Sequence, residues 1–344
     1  ATEYIESGAS SGKAGLLENE PRFNYPIGGG SPHLLLEPQR TNLLSNSEYL
    51  EGNTEFKVLS SSVTFADYTE TSPDGNENAL RVLEAEGSGN HNWYYDNIGG
   101  VTNGTTYCIS FFAKSIRGRN IRFDEGSVGM DMQGIIDLSD GSILQDLHNN
   151  VSVEPYGNGW YRISAVGAMN GTSQRIIFNT TDGTSTSFEG DTTSGVSLWG
   201  VQIEEGSYAT SYIPNHSGGS VSRESDIYQN TDIDTVTNMS TDECTILLDV
   251  DLPQGREGSS RFLQFADLAG GGSTNFGLKG NYVPSPIIQL IGGGTISTSN
   301  THSLSVGRHK IAIRWLGVTA DVFIDGAEVS ALSVTDSSAP TRFD

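Results

Sequence analysis

The sequence predicts an all-β protein, with an extended N-terminal arm followed by two antiparallel β-sandwiches. Helical periodicity is almost absent, and short runs rich in β-branched and aromatic residues recur instead. Asn-Gly and Asp-Gly pairs separate these runs and supply the positive φ angles that tight hairpins need. The pairs stand at 74–75, 103–104, 140–141, 158–159, 170–171, 182–183 and 325–326. Strands spaced so closely indicate antiparallel sandwiches.

Composition narrows the classes of function. The chain has 344 residues, enough for about two domains with real cores. It has 19 Lys and Arg against 42 Asp and Glu, a formal charge of −23, so it repels phosphate backbones and we expect no nucleic-acid partner. No run approaches the 18 apolar residues of a membrane span, so we expect no membrane insertion. Cys108 and Cys244 lie too far apart for a CxxC site and are expected to be buried.

The first part of the chain divides into an arm and a sandwich. Residues 1–48 contain prolines and a triple glycine that break any long ladder, so we expect an extended arm whose one apolar run is 33–36. Residues 49–214 hold about nine strand candidates, which fits a jelly roll. The candidates are 57–68, 79–86, 92–98, 105–114, 120–123, 134–138, 159–167, 175–179 and 196–204. In the fourth, Tyr107, Ile109 and Phe111 share one face and Cys108 and Phe112 the other, as in a central strand.

A polar, Gly/Ser-rich stretch, 215–235, is predicted to be the linker between the two modules. Residues 236–344 then hold a second set of strand candidates. These are 244–252, 261–266, 276–279, 287–291, 308–316 and 319–324. In the hairpin formed by the last two, Ile311, Ile313 and Trp315 share one face.

Several blocks resemble a known kind of protein. Pro21-Arg22-Phe23-Asn24-Tyr25 and the run Leu34-Leu35-Leu36-Glu37-Pro38-Gln39-Arg40-Thr41-Asn42-Leu43-Leu44 resemble the opening segment of tail-fibre, head-fibre and minor tail proteins of bacteriophages. Residues 159–164 (GWYRIS) and 198–214 (LWGVQIEEGSYATSYIP) are similar to later strands of the carbohydrate-binding-module-like jelly roll in those proteins. The second module is similar to concanavalin A-like, laminin-G-type lectin domains through its ending, Val322-Phe323-Ile324-Asp325-Gly326.

The resemblance implies a virion surface protein that recognises host-surface or environmental glycans and contacts other virion proteins. Fibres of this kind are commonly trimers, so it also implies a homo-oligomer, whose many copies would turn weak glycan contacts into strong attachment. In the lectin-like family a closing strand follows the Asp-Gly hairpin. No such strand is evident in this sequence, so we expect the second module to be completed elsewhere or truncated.

Sugar binding needs aromatic faces together with polar groups that take the hydroxyls. The richest segment is 90–97, and our candidate ligand residues there are Asn92, Trp93, Tyr94 and Tyr95. On a strand, Trp93 and Tyr95 share one face and Tyr94 takes the other, so the alternative is that the first two pack in the core. A fifth candidate, Tyr282, lies in a turn-rich stretch, 281–284, of the second module. Core packing is expected for Trp160 and Trp315, and Trp199 is expected either in the core or between the sheet and the arm.

Acidic pairs offer the only metal candidates. Asp249 and Asp251, like Asp232 and Asp234, have the i, i+2 spacing that places both carboxylates on one side of a strand, where a structural Ca²⁺ would be the suitable cofactor. Solvated acidic faces are the alternative, because no complete calcium-loop motif occurs.

Catalysis finds little support in the motifs. The chain has no E-x-D-x-(x)-E strand, P-loop or dinucleotide fingerprint, so we expect a non-catalytic protein. Two alternatives to a glycan-binding virion protein stay open. One is a purely structural capsid decoration or fibre protein, and the other is a polysaccharide-degrading enzyme or its appended binding module.

Overall fold

A computed structural model shows that the protein is all-β, as the sequence predicts. It describes residues 23–24, 32–48, 50, 55–58, 62–125, 132–171, 174–216, 218–226, 243–252, 259–266, 276–282, 286–292, 301–305, 307–316, 319–333 and 342–343. Within these ranges the regular elements are strands, with no helix. The chain forms two compact units, Ala1–Asp226 and Ile227–Asp344. The boundary between them lies within the stretch predicted as the linker.

The first unit is a sandwich of two six-stranded antiparallel sheets. The first sheet has the order β12 (Ile143–Asp146), β11 (Gly134–Ile136), β10 (Asn120–Glu125), β15 (Gln174–Thr181), β8 (Asn92–Ile98) and β4 (Phe56–Val58). The second has the order β13 (Val151–Gly157), β14 (Trp160–Ala168), β9 (Thr106–Ile116), β17 (Gly195–Glu205), β6 (Ala79–Glu84) and β5 (Val63–Glu70). The chain passes back and forth between the sheets, as in a jelly roll.

The core lies between the two sheets because apolar side chains recur at every second position of the central strands. On β9, Tyr107, Ile109 and Phe111 share one face, as predicted, and the structure shows that this face points inward, while Phe112 points to the other side of its sheet. The Phe111 ring meets the Phe178 ring of the opposite sheet edge to face, with centroids 5.2 Å apart. Aromatic packing of this kind joins the two sheets.

A second apolar cluster covers the outer side of the second sheet. It consists of Ala79, Phe112, Trp160, Trp199 and Tyr212, with Tyr156 packed against it. Trp160 and Trp199 are buried, as predicted, but in this outer cluster rather than between the sheets. Tyr212 comes from the segment after β17, so the end of the first unit closes over its own sheet.

Parts of the predicted arm and linker belong to the first unit. Strand β3 (Arg40–Asn42), from the arm, pairs with β18 (Val221–Arg223), from the linker. Leu44 lies in the core, and the Asn42 side-chain amide donates to the Ile213 carbonyl at 2.9 Å. The sequence does not reveal this packing because buried polar side chains carry much of it. Two further ladders pair β1 (Phe23–Asn24) with β2 (His33–Leu34), and β7 (Gly87–Asn90) with β16 (Ser187–Gly190).

The second unit contains two antiparallel sheets. The four-stranded sheet has the order β19 (Glu243–Leu252), β24 (Gly307–Leu316), β25 (Thr319–Ile324) and β26 (Ala327–Ser333). The five-stranded sheet has the order β23 (Thr301–Ser303), β22 (Pro286–Gly292), β21 (Phe276–Tyr282), β20 (Ser259–Ala266) and β27 (Arg342–Phe343). Buried side chains here include Ile311 and Ile313. The predicted partner on their face, Trp315, has a side chain outside the described residues.

Two details of the strand prediction differ from the structure. The run 57–68 is two strands of different sheets, β4 and β5, because the chain crosses the sandwich within it. Strand β26 follows the Asp325-Gly326 turn and pairs with β25 along its length, so the strand thought to be missing is present. Its sequence, AEVSALS, is rich in small residues and lacks the strong alternation that marks the other strands.

Candidate functional site

Strand β8 divides the main candidate residues between the two sides of the first sheet. Trp93 and Tyr95 point into the core, where they are 0 % and 1 % exposed. The Trp93 ring stacks on the Phe178 ring with centroids 5.8 Å apart. A side chain without exposed surface cannot contact a sugar, so the structure removes Trp93 and Tyr95 from the candidate ligand residues. Their positions agree with the alternative interpretation, in which both side chains pack in the core.

The Tyr95 hydroxyl is hydrogen-bonded to two neighbouring side chains. It lies 2.7 Å from the Ser45 hydroxyl and donates to the Glu55 carboxylate at 3.0 Å. Burial raises the pKa of Tyr95 to about 12, and Glu55 adds to the rise. Tyr95 therefore remains a neutral donor that ties the segment before β4 to the sheet.

Tyr94 and Asn92 point the other way, to the outer side of the first sheet. The strand register places Lys57, Tyr94 and Ile177 in one row across β4, β8 and β15, followed by Asp124 on β10. The next row contains Asn92, Asn179 and Arg122. We call this surface the polar face. It comprises Lys57, Asn92, Tyr94, Asp96, Arg122, Asp124, Arg175, Ile177 and Asn179.

The Tyr94 ring lies between two cations. The Arg175 guanidinium carbon is 4.4 Å from the ring centroid, and the Lys57 ammonium is 5.9 Å from it. Because β4 and β15 flank β8, the two cations come from the strands on either side of Tyr94. Attraction to the ring quadrupole orients all three side chains.

Asp96, two residues further along β8, holds both cations. Its Oδ2 is 3.3 Å from the Lys57 Nζ, and its Oδ1 accepts from the Arg175 Nε at 3.0 Å. The side chains of Lys57 and Arg175 nevertheless stay 39 % and 38 % exposed. Among the described residues, none forms a hydrogen bond with the Tyr94 hydroxyl. This end of the polar face is therefore preorganised and accessible to solvent.

The other end of the polar face is more enclosed. The Arg122 Nη2 is 2.5 Å from the Asp124 Oδ2, and the Arg122 Nη1 donates to the Asn179 Oδ1 at 3.5 Å. Desolvation raises the pKa of Asp124, although Arg122 acts in the opposite direction. Asn179 and the neighbouring Ile135 are buried, so a ligand cannot contact these two side chains directly. A ligand would reach the Tyr94 end first.

The candidates of the second unit are less well defined. Tyr282 ends strand β21, in register with Pro286, rather than standing in a loop, and its side chain lies outside the described residues. The Asp249 carboxylate accepts two hydrogen bonds from Arg308, each at 2.6 Å, whereas the Asp251 side chain lies outside the described residues. Asp232 and Asp234 also lie outside them. No group of three or more His, Cys, Asp or Glu side chains suited to a metal occurs in the described ranges.

A serine, a histidine and an aspartate meet in the second unit. The His309 Nδ1 is 2.8 Å from the Asp325 Oδ2, and its Nε2 is 3.3 Å from the Ser305 Oγ. The Nε2 is closer still, at 2.9 Å, to the Ser305 carbonyl oxygen. The shorter contact of Nε2 is with the backbone of Ser305 rather than its hydroxyl, so the geometry does not favour the hydroxyl-to-imidazole hydrogen bond that a nucleophilic serine needs. The trio therefore braces the start of β24 to the turn after β25.

An apolar patch occupies the edge of the first sheet. Ile143 and Leu144 on edge strand β12, and Leu147 in the following turn, are 42 %, 39 % and 57 % exposed. We call these three residues the edge patch. An exposed apolar edge strand is a ready surface for association with another chain. In the part of the chain that the structure describes, no helix is long and apolar enough to cross a bilayer.

Comparisons with known proteins add no relative: no protein-family model matches the chain, and no curated protein matches it. The functional interpretation therefore depends on the geometry of the polar face. Sequence reasoning singled out Tyr94 and Asn92 but missed Lys57, Asp96 and Arg175. The alternation along each strand showed only that Asp96 shares a face of β8 with Tyr94. The register between β4, β8 and β15 is what brings Lys57 and Arg175 to the same place.

Proposed function

We propose that the protein is a non-catalytic, saccharide-binding protein of a virion surface, which contacts host-surface or environmental glycans through the polar face. The single observation that carries the proposal is the Tyr94 hydroxyl, which has no hydrogen-bond partner among the described residues and lies beside Lys57 and Arg175, both held by Asp96. The virion location, the contacts with other virion proteins and a homo-oligomer such as a trimer follow from the resemblance of the N-terminal blocks to phage fibre proteins.

The chemistry of the polar face suits sugar hydroxyls. The Tyr94 hydroxyl can both donate and accept, the basic side chains donate, and the Asn92 amide can do either. Rows of such groups on a rigid strand framework hold a chain of sugar rings at low entropic cost. Each contact would be weak, and several copies on one particle would multiply the attachment.

The test is direct binding to a panel of polysaccharides, with Tyr94→Phe as the informative variant. This change removes only the hydroxyl, so we expect a loss of one hydrogen bond, roughly 2- to 12-fold in affinity. Tyr208→Phe is the matched control, because Tyr208 also lies beside a cation, 5.4 Å from the Arg40 guanidinium carbon, but away from the polar face. Binding that is equal in the wild type and both variants would contradict the proposal.

The edge patch favours a second candidate, a purely structural capsid decoration or fibre protein whose sandwiches associate with neighbouring subunits. In that case the apolar side chains Leu144 and Leu147 would be covered in the assembly. Sedimentation of the wild type and of Leu147→Asp measures this. A loss of oligomer in the variant, together with no saccharide binding by the wild type, would favour the structural function.

A further inference from the structure

The polar face differs in charge from the rest of the molecule. The whole chain has 19 basic and 42 acidic residues. The polar face has three basic side chains and two acidic ones. The basic ones are Lys57, Arg122 and Arg175, and the acidic ones are Asp96 and Asp124. The polar face therefore has more basic than acidic side chains, whereas the chain as a whole has more than twice as many acidic as basic residues.

Donors also exceed acceptors at the accessible end of the face. Arg175 has five N–H donors, and within the described ranges only its Nε–H is used, by Asp96. Lys57 has three donors, of which Asp96 takes one. Each oxygen of the Asp96 carboxylate already accepts from one of these cations. A ligand arriving here therefore meets N–H groups in excess and few free acceptors.

A neutral sugar hydroxyl can accept from these donors, but it carries no charge and brings a donor of its own, so it gains less from cationic groups than an anion does. A carboxylate or sulfate brings acceptors only, and the planar fork of a guanidinium matches it. Within the described ranges the Nη groups of Arg175 form no hydrogen bond, so a ligand can use them for such a fork while Nε donates to Asp96. The contact with the Tyr94 ring and the hydrogen bond to Asp96 position the guanidinium before the ligand arrives.

From these observations we infer that the saccharide bound by the polar face is anionic, with carboxylate or sulfate groups held by Arg175 and Lys57. This inference rests on the proposed saccharide-binding function and names its ligand class. The net charge of −23 opposes the approach of any polyanion, but at about 0.15 M salt charges more than roughly 8 Å away are largely screened. Contact with the polar face then decides the affinity.

The experiment compares polymers that differ only in charge. Dextran sulfate is set against dextran, and polygalacturonate against its methyl ester, with the full chain in about 0.15 M salt. We expect binding of a charged member and much weaker binding of its neutral partner. The sulfate and carboxylate arms show which anion is preferred. Arg175→Gln should weaken binding of the charged polymer about tenfold.

Arg314→Gln is the matched control for net charge and contact type. Arg314 also pairs with a carboxylate, Asp321, and lies near an aromatic ring, Phe323, but it belongs to the second unit. We expect this variant to bind like the wild type. If Arg175→Gln does not fold, Lys57→Gln replaces it, with the same expected direction.

Three results would overturn the inference. Equal binding of charged and neutral polymers, both weakened by Tyr94→Phe, would leave saccharide binding standing and remove the anionic class. Equal losses in Arg175→Gln and Arg314→Gln would show attraction to net charge alone. An absence of binding to all four polymers, and to the wider polysaccharide panel, would remove the proposed function itself.

Discussion

Arg223 and Glu37 form a buried ion pair that joins two segments far apart in the sequence. The Arg223 Nη1 is 3.1 Å from the Glu37 Oε2, and their side chains are 6 % and 9 % exposed. Arg223 also donates to the carbonyls of Ser211 and Pro38, at 3.0 and 3.3 Å. The pair anchors the β3–β18 ladder to the sandwich, so the first unit depends on residues that the sequence assigns to an arm and a linker.

Replacing Arg223 with Met should destabilise the first unit strongly. The change leaves the Glu37 carboxylate buried without its cation, which typically costs about 3–5 kcal/mol. Denaturant unfolding followed by fluorescence measures the loss. Lys114→Met is the control: Lys114 pairs with Glu70 at 2.8 Å, but both side chains are partly exposed, so we expect about 1 kcal/mol or less. Equal losses in the two variants would contradict the anchoring role of Arg223.

Gly195→Ala should disrupt the pairing of the central strands β17 and β6. A Cβ at Gly195 would lie 1.9 Å from the Val82 carbonyl oxygen and 3.0 Å from the Leu83 Cα, and backbone atoms cannot rotate away. We expect a loss of about 3 kcal/mol or more in the free energy of unfolding. At Gly89 a Cβ meets no described atom within 4 Å, so Gly89→Ala should change stability much less. Comparable unfolding midpoints for the two variants would refute this packing.

Cys108 should resist thiol reagents in the folded protein. Burial raises the pKa of its thiol far above the ordinary value, and nearby Glu204 adds to the rise, so the reactive thiolate is scarce. In a Cys244→Ser variant, which retains only Cys108, labelling should be negligible in native buffer and complete in denaturant. Rapid labelling of the native variant would show that the outer side of β9 opens readily.

Binding of a permanently charged polyanion should strengthen as the pH falls. Burial raises the pKa of Asp124, so this carboxylate becomes neutral at a higher pH than an ordinary aspartate. The folded state thus favours the protonated form, and the corresponding contribution to stability is present at low pH and lost as the pH rises through the raised value. Once Asp124 is neutral, three basic groups face one acidic group on the polar face.

The measurement is the affinity for dextran sulfate from pH 7 down to about 4, the ordinary aspartate range, because sulfate stays ionised throughout. Asp124→Asn is the control, because it is neutral throughout. We expect the variant to bind more tightly than the wild type at pH 7 and to vary less with pH. The same pH dependence in both proteins would assign the effect to other groups.

Much of the fold could be predicted from local pattern. The alternation predicted that Tyr107, Ile109 and Phe111 share one face of β9, and turn pairs such as Asp325-Gly326 predicted hairpins. The elements that could not be predicted are those held by polar contacts between residues far apart in the sequence. Asn42 and Arg223 show this, because their partners are 171 and 186 residues away.

The candidate site was predictable in outline only. Alternation showed that Tyr94 must face away from Trp93 and Tyr95, but not which side is buried. The neighbours of Tyr94 depend on the register between three strands, which places Lys57 beside it and brings Arg175 over its ring. A shift of one residue in either ladder would send these cations to the opposite side of the sheet.

Hydrogen exchange with and without a bound saccharide locates the binding surface on the chain. With a saturating polysaccharide from the panel, binding through the polar face predicts slower exchange in peptides covering β4, β8 and β15, which contain Lys57, Tyr94 and Arg175. Protection confined to other strands, with these three unchanged while the saccharide is bound, would contradict it.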